Sequence, residues 1–142
     1  MYFEDIEIGT EMIIPETYVD RDEMIAFARK YNNAPFHADE KWAKSTALGD
    51  VSAPGIYTFL LIWSQYVIND LGGEQTIAGT DMKLSFLAPV MPGDTLKGIV
   101  RVISKTERNP YNGLVVIQID IYNQNEFLVL RNTTSTVIKR RC

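Results

Sequence analysis

The chain of 142 residues has one cysteine and one histidine. Because Cys142 is the single cysteine, an internal disulfide framework and a cysteine-rich metal site are both excluded. The single histidine is His37. The sequence around it contains no carboxylate–histidine spacing motif of the kind that binds zinc. We therefore expect neither a metal nor another cofactor.

Excess positive charge and long apolar runs are also missing. The chain has 14 basic and 18 acidic residues, a net charge of −4, and its one basic run is Lys139-Arg140-Arg141, which argues against a nucleic-acid partner. The chain has no run of ~20 apolar residues, so we expect neither a membrane span nor a membrane partner. The acidic N-terminal segment lacks the apolar core of a signal peptide, which predicts a cytoplasmic location.

The residues that are present are typical of a globular protein. Apolar residues make up 46% of the chain and charged residues 23%. The length fits one domain, which we expect to span residues 1–142.

The first quarter of the chain predicts a strand and then a helix. The strand runs over 11–19, with Pro15 placing part of it at an edge or bend. Asp20 and Glu23 form a capping-box pattern at the start of a helix that ends near Tyr31.

Proline interrupts the chain after this helix. Pro35 disfavours a helical conformation for the residue before it and has no amide proton, so residues 32–36 are expected to form a stiff loop. Asp39 is the predicted N-cap of a short helix over 40–45.

A second long helix is predicted over 53–70, ending at Gly72-Gly73. Its apolar residues cover nearly the whole circumference of the helix, which indicates a buried helix. They are Ile56, Phe59, Leu60, Ile62, Trp63, Tyr66, Val67 and Ile68.

The remainder of the chain predicts four strands, over 77–87, 96–106, 115–121 and 127–139. We expect an α+β fold in which an antiparallel sheet of four or five strands wraps around the 53–70 helix, the hotdog arrangement. An open sheet leaves edge strands that need partners, which favours a homodimer or a higher homo-oligomer.

Three segments carry a resemblance to a known family. They are Tyr31-Asn32-Asn33-Ala34-Pro35-Phe36-His37, Gly49-Asp50-Val51-Ser52-Ala53-Pro54-Gly55, and the Pro-Val-Met-Pro-Gly-Asp-Thr-Leu run at 89–96. The chain resembles the MaoC-like dehydratases, the (R)-specific enoyl-CoA hydratase branch of the hotdog fold. The resemblance implies a reversible addition of water to a trans-2-enoyl thioester of CoA or of acyl-carrier protein.

The resemblance also implies residue roles. The family's catalytic pair is an aspartate and a histidine, of which His37 matches the histidine and Asn32 stands at the aspartate position. The family's asparagine is replaced by Ala34, and a serine on the central helix is absent near Leu60. Gly55 falls where a backbone amide of the family binds the thioester carbonyl.

The residue types agree with these roles in part. An imidazole such as that of His37 can exchange a proton near neutrality, whereas the amide of Asn32 can only hydrogen-bond. A turn role for Asn32, and easy entry into a crowded helix for Gly55, are the structural alternatives. Phe36, Pro54 and Tyr57 are candidate substrate-binding residues, with packing as the alternative for Phe36 and Tyr57.

Three functions follow as hypotheses. The first is an enoyl-CoA hydratase or dehydratase that uses His37 with Asn32 as the orienting group and is impaired by the missing carboxylate. The second is a non-catalytic acyl-CoA-binding protein. The third is a hotdog acyl-CoA thioesterase. The absence of acidic residues between Asp50 and Asp70 counts against this third hypothesis.

Overall fold

The computed structural model describes residues 1–141, and Cys142 lies outside the described residues. Five strands form one antiparallel sheet in the spatial order β1-β3-β4-β5-β2. The strands are β1 (Glu11–Tyr18), β2 (Thr76–Phe86), β3 (Thr95–Glu107), β4 (Asn112–Tyr122) and β5 (Leu128–Lys139). The predicted antiparallel sheet is therefore confirmed.

Four α-helices precede β2, and they confirm the α+β class. They are α1 (Arg21–Tyr31), α2 (Pro35–Ala38), α3 (Glu40–Ala43) and α4 (Gly55–Tyr66). Short 3₁₀ turns lie at Phe3–Asp5, Val67–Asn69 and Gly73–Gln75. Among residues 1–141, no helix is long and apolar enough to cross a membrane.

Period-two alternation builds the core side of the sheet. Along β4 every second residue is buried, as the sequence pattern predicts for a strand that covers a core with one face. The buried side chains are Val115, Ile117, Ile119 and Ile121. Strands β1 and β2 are the two edges, and the pairing of β1 with β3 shifts register between Ile14 and Thr17, as expected around Pro15.

The N-terminus of α1 uses only half of the predicted capping box. The Asp20 carboxylate accepts the Glu23 backbone N–H at 2.9 Å. The Glu23 carboxylate instead accepts the Tyr57 hydroxyl at 2.6 Å. A partner 34 residues away thus replaces the local one, and it joins α1 to α4.

The prediction of a loop over 32–36 is wrong at its end. The chain leaves the helical conformation only over 32–34, and Pro35 begins the single turn of α2. Proline suits the first position of a helix, because the amide it lacks would have no intrahelical partner there. His37 therefore lies on a helical turn. Asp39 follows it and caps α3 as predicted, accepting the Trp42 N–H at 3.0 Å.

The prediction of a long helix over 53–70 needs three corrections, the first at its end: Tyr66 is its last residue, and a 3₁₀ turn follows at Val67–Asn69. The helix begins at Gly55 instead of Ala53, because Pro54 has an extended ψ of 137° and is the N-cap. It is also not buried all round in the single chain, since the sheet covers only one of its sides. Its buried residues are Tyr57, Thr58, Phe59, Ile62 and Tyr66, while Ile56 and Leu60 of the helix and Val67 and Ile68 of the following turn are exposed.

Candidate functional site

A cavity of about 470 Å³ lies where the start of α4 meets α2, the end of β2 and the start of β5. It brings together the three predicted catalytic residues, Asn32, His37 and Gly55. The rest of the lining is mostly apolar and comprises Ser52, Ala53, Ile56, Thr58, Phe86, Leu87, Ala88, Pro89, Val90, Val129 and Leu130. This lining suits a mainly apolar ligand with a few polar atoms.

A hydrogen bond to a backbone carbonyl determines which ring nitrogen of His37 carries the hydrogen. The side chain is only 8% exposed, and its Nδ1 lies 2.7 Å from the Ser52 carbonyl oxygen. Because a carbonyl oxygen can only accept, Nδ1 carries the hydrogen, and Nε2 of the neutral ring is a proton acceptor. The Ser52 N–H also donates to the Phe36 carbonyl at 3.0 Å, which ties α2 to the segment before α4.

Asn32 occupies the end of α1, where its backbone N–H donates to the Ala28 carbonyl at 2.8 Å. Its side chain is exposed and lines the cavity. A neutral amide there can donate to and accept from a ligand, but it cannot take up a proton. The turn position of Asn32 is therefore compatible with contact to a ligand in the cavity.

The described part of the chain supplies no aspartate or glutamate to the lining of this cavity. Asp39 caps α3, and the Asp50 carboxylate accepts hydrogen bonds from Nη1 and Nη2 of Arg21 at 2.8 and 2.6 Å. The hydrogen bond from Arg21 lowers the pKa of Asp50. Neither carboxylate replaces the one that Asn32 lacks. Residues 1–141 also contain no group of three His, Cys, Asp or Glu side chains that could hold a metal ion.

Gly55 is the first residue of α4, and no side chain caps this helix. Amides of the first turn have no intrahelical acceptor and lie at the positive end of the helix dipole, so they suit a carbonyl oxygen that gains negative charge. A Cβ at Gly55 would overlap the Phe86 ring. A larger residue here would require the exposed Phe86 ring to move, which agrees with the structural alternative for Gly55.

The three candidate substrate-binding residues do not line this cavity. The Phe36 ring is half exposed, with its centroid 4.1 Å from that of His37. Pro54 lines an adjoining apolar groove formed with Phe27, Tyr31, Asn32, Ile56 and Leu60. Tyr57 is buried against α1, and burial together with the Glu23 hydrogen bond raises the pKa of its hydroxyl. The position of Tyr57 fits the packing alternative.

Two polar residues that line the cavity were not identified as site residues from the sequence. Ser52 and Thr58 are buried, 7% and 1% exposed, and both line it. In the sequence Thr58 is only an interruption in an apolar helix. Its spacing of three from Gly55, which places both on one helix face, was the available signal.

Comparison with known proteins gives matches over most of the chain. Residues 5–119 match the sequence profile of the MaoC like domain. A 3-hydroxybutyryl-CoA dehydratase from Methylorubrum extorquens is 32% identical over 103 residues, which are 72% of this chain and 64% of that protein.

Solved structures agree in fold. A MaoC-like dehydratase from Rhodospirillum rubrum has a TM-score of 0.89 and 29% identity, covering 100% of this chain and 99% of that one. An (R)-hydratase of A. caviae involved in PHA biosynthesis has a TM-score of 0.77 and 25% identity, covering 97% and 99%. The match of the domain profile to most of the chain decides the family: this protein belongs to the MaoC-like dehydratase domain family and has its hotdog fold.

Proposed function

We propose that this protein binds an acyl thioester of CoA or of acyl-carrier protein and adds water reversibly to a trans-2-enoyl group to give an (R)-3-hydroxyacyl thioester. The observation that carries the proposal is the meeting of His37, held with Nε2 as a proton acceptor, and Gly55, at an uncapped helix start, in one cavity. The dehydratases and (R)-hydratases among its relatives support the same reaction class.

The proposed reaction needs no redox partner. Nε2 of His37 takes a proton from water as the water oxygen bonds to C3, and the negative charge passes to the thioester oxygen. The amide of Gly55 stabilises that charge. The proton then passes from His37 to C2, so that the product contains both hydrogens and the oxygen of the water. Asn32 orients the water by hydrogen bonding.

A second candidate function is binding of an acyl thioester without turnover. It is favoured by the absence of a carboxylate from the described lining, because the family pair that activates water contains one. The thioesterase alternative has less support, since neither α4 nor the described cavity lining contains an acidic residue.

A panel of trans-2-enoyl-CoAs distinguishes these functions. The expected result is slow, saturable loss of the absorbance of the conjugated thioester without release of free thiol. Tight binding without turnover would favour the binding protein, and release of CoA thiol would favour the thioesterase. Absence of both binding and turnover with every chain length would contradict the proposal.

We also propose a homodimer joined along strand β2. The support is the exposed apolar surface of the single chain, which includes Ile56 and Leu60 on α4 and Ile77 and Met82 on the free edge strand β2. A second copy would cover this surface and pair the open edge.

Light scattering at micromolar concentration is expected to give twice the 16.1 kDa of one chain. Met82→Asp should lower that mass toward the monomer's. Ile13→Asp, on the opposite edge strand β1, is the matched control and should leave the dimer intact. A monomer mass for the natural protein would refute the dimer.

A further inference from the structure

Thr58 lines the cavity, and its buried hydroxyl has no hydrogen-bond partner among the described residues. The residue is 1% exposed. Threonine in a helix commonly turns its hydroxyl to a carbonyl three or four residues earlier. Here the Pro54 carbonyl receives the Thr58 backbone N–H at 3.1 Å, and Oγ1 forms no second bond to it.

Packing alone does not explain a hydroxyl at this position. An unpaired buried polar atom destabilises a protein, and valine would fill the same space without that penalty. Thr134 shows the usual arrangement: it is 2% exposed, and its hydroxyl donates to Oδ1 of Asn132 at 2.8 Å. Asn132 in turn donates to the Lys83 carbonyl at 3.0 Å. Thr58 differs in lacking a protein partner and in lining the cavity.

The helix geometry relates Thr58 to Gly55. Residues three apart share a helix face, and the rise of 1.5 Å per residue separates them by about 4.5 Å along the axis. Gly55 is half-buried and Thr58 fully buried, so Thr58 lies further from solvent than Gly55. An acyl thioester with its carbonyl at Gly55 and its acyl chain directed inward would place C3, two bonds further along the chain, toward Thr58.

We propose that the Thr58 hydroxyl binds the oxygen atom at C3 of the ligand. That oxygen is the hydroxyl of a 3-hydroxyacyl thioester or the water that adds to the enoyl group. Thr58 donates to a lone pair of this oxygen, while Nε2 of His37 accepts its proton. This assignment of a substrate-contacting residue rests on the proposed function and goes beyond it.

Equilibrium binding tests the proposal with two ligands that differ in the C3 oxygen. The probes are (R)-3-hydroxybutyryl-CoA and butyryl-CoA, titrated by calorimetry into the natural protein, Thr58→Val and Thr58→Ser. Thr58→Val should bind the hydroxyacyl thioester about 10-fold more weakly, the effect of one well-made hydrogen bond, and butyryl-CoA unchanged. Thr58→Ser, which keeps the hydroxyl, should retain most of the affinity.

Thermal melting without ligand separates this role from a structural one. Thr58→Val should melt at the same or a higher temperature, because it removes an unpaired polar atom. The matched control Thr134→Val loses a made hydrogen bond, so it should melt at a lower temperature and bind both thioesters as before.

Several results would overturn the assignment. Equal weakening of both ligands by Thr58→Val would place the hydroxyl at another ligand atom, and unchanged affinity for both would remove it from the binding site. A fall in melting temperature like that of Thr134→Val would indicate a structural hydroxyl. If the natural protein binds neither thioester, the proposed function fails together with this assignment, whereas binding with no effect of Thr58→Val refutes the assignment alone.

Discussion

Asn32→Asp is expected to raise the rate of trans-2-enoyl-CoA hydration by at least ~10-fold over the natural protein. Asparagine and aspartate have nearly the same shape, so the change supplies the absent carboxylate with little effect on packing. A general acid–base group typically contributes 10²–10⁴-fold, roughly 3–5 kcal/mol of barrier, and the 10-fold figure is a conservative part of that range. No other carboxylate lines the described cavity, which leaves the new one without a competitor.

The neighbouring asparagine provides the control. Asn33→Asp makes the same change of charge one residue further on, but Asn33 lines a separate depression with Arg29, Pro35, Ala38, Asp39, Glu40 and Lys41. Its rate should equal that of the natural protein. A fully active natural protein that loses activity on Asn32→Asp would show that the asparagine belongs to a different mechanism. If the natural protein and Asn32→Asp are both inactive but bind thioesters tightly, the result would favour a binding protein without catalytic activity.

His37→Asn is expected to lower the hydration rate by ~10²–10⁴-fold, measured in the natural protein and in Asn32→Asp. The asparagine amide can still donate to the Ser52 carbonyl in place of Nδ1, which keeps the anchor of α2 to residue 52. The variant has no counterpart of Nε2 and cannot accept a proton. It should therefore fold normally and bind thioesters but turn over very slowly.

His37→Ala extends this experiment. It should be as slow as His37→Asn, and free imidazole should restore part of the activity by occupying the space left by the ring. Circular dichroism and thioester affinity check that both variants are folded. If His37→Asn keeps the natural rate while thioester binding is intact, His37 is not the proton acceptor and the proposed mechanism is wrong.

The sequence by itself determined the parts of this protein that depend on local signals. Alternation along residues 115–121 predicted the buried face of β4, and Asp20 and Asp39 were identified as N-caps because capping needs only the next three residues. The motif residues Asn32, His37 and Gly55, spread over 24 positions, were named from the family resemblance, and they line one cavity. Residue type alone also showed that Asn32 lacks a titratable carboxyl group.

Only the tertiary structure decided the contacts between distant segments. The Ser52 carbonyl, 15 residues from His37, fixes the ring nitrogen that carries the proton. For Tyr57 the sequence left substrate binding and packing open, and in the structure Glu23 on another helix holds its hydroxyl. The packing around α4 buries the Thr58 hydroxyl and leaves it without a hydrogen-bond partner among the described residues. Period and propensity describe one element at a time, whereas these properties depend on which elements pack together and which side of α4 the sheet leaves uncovered.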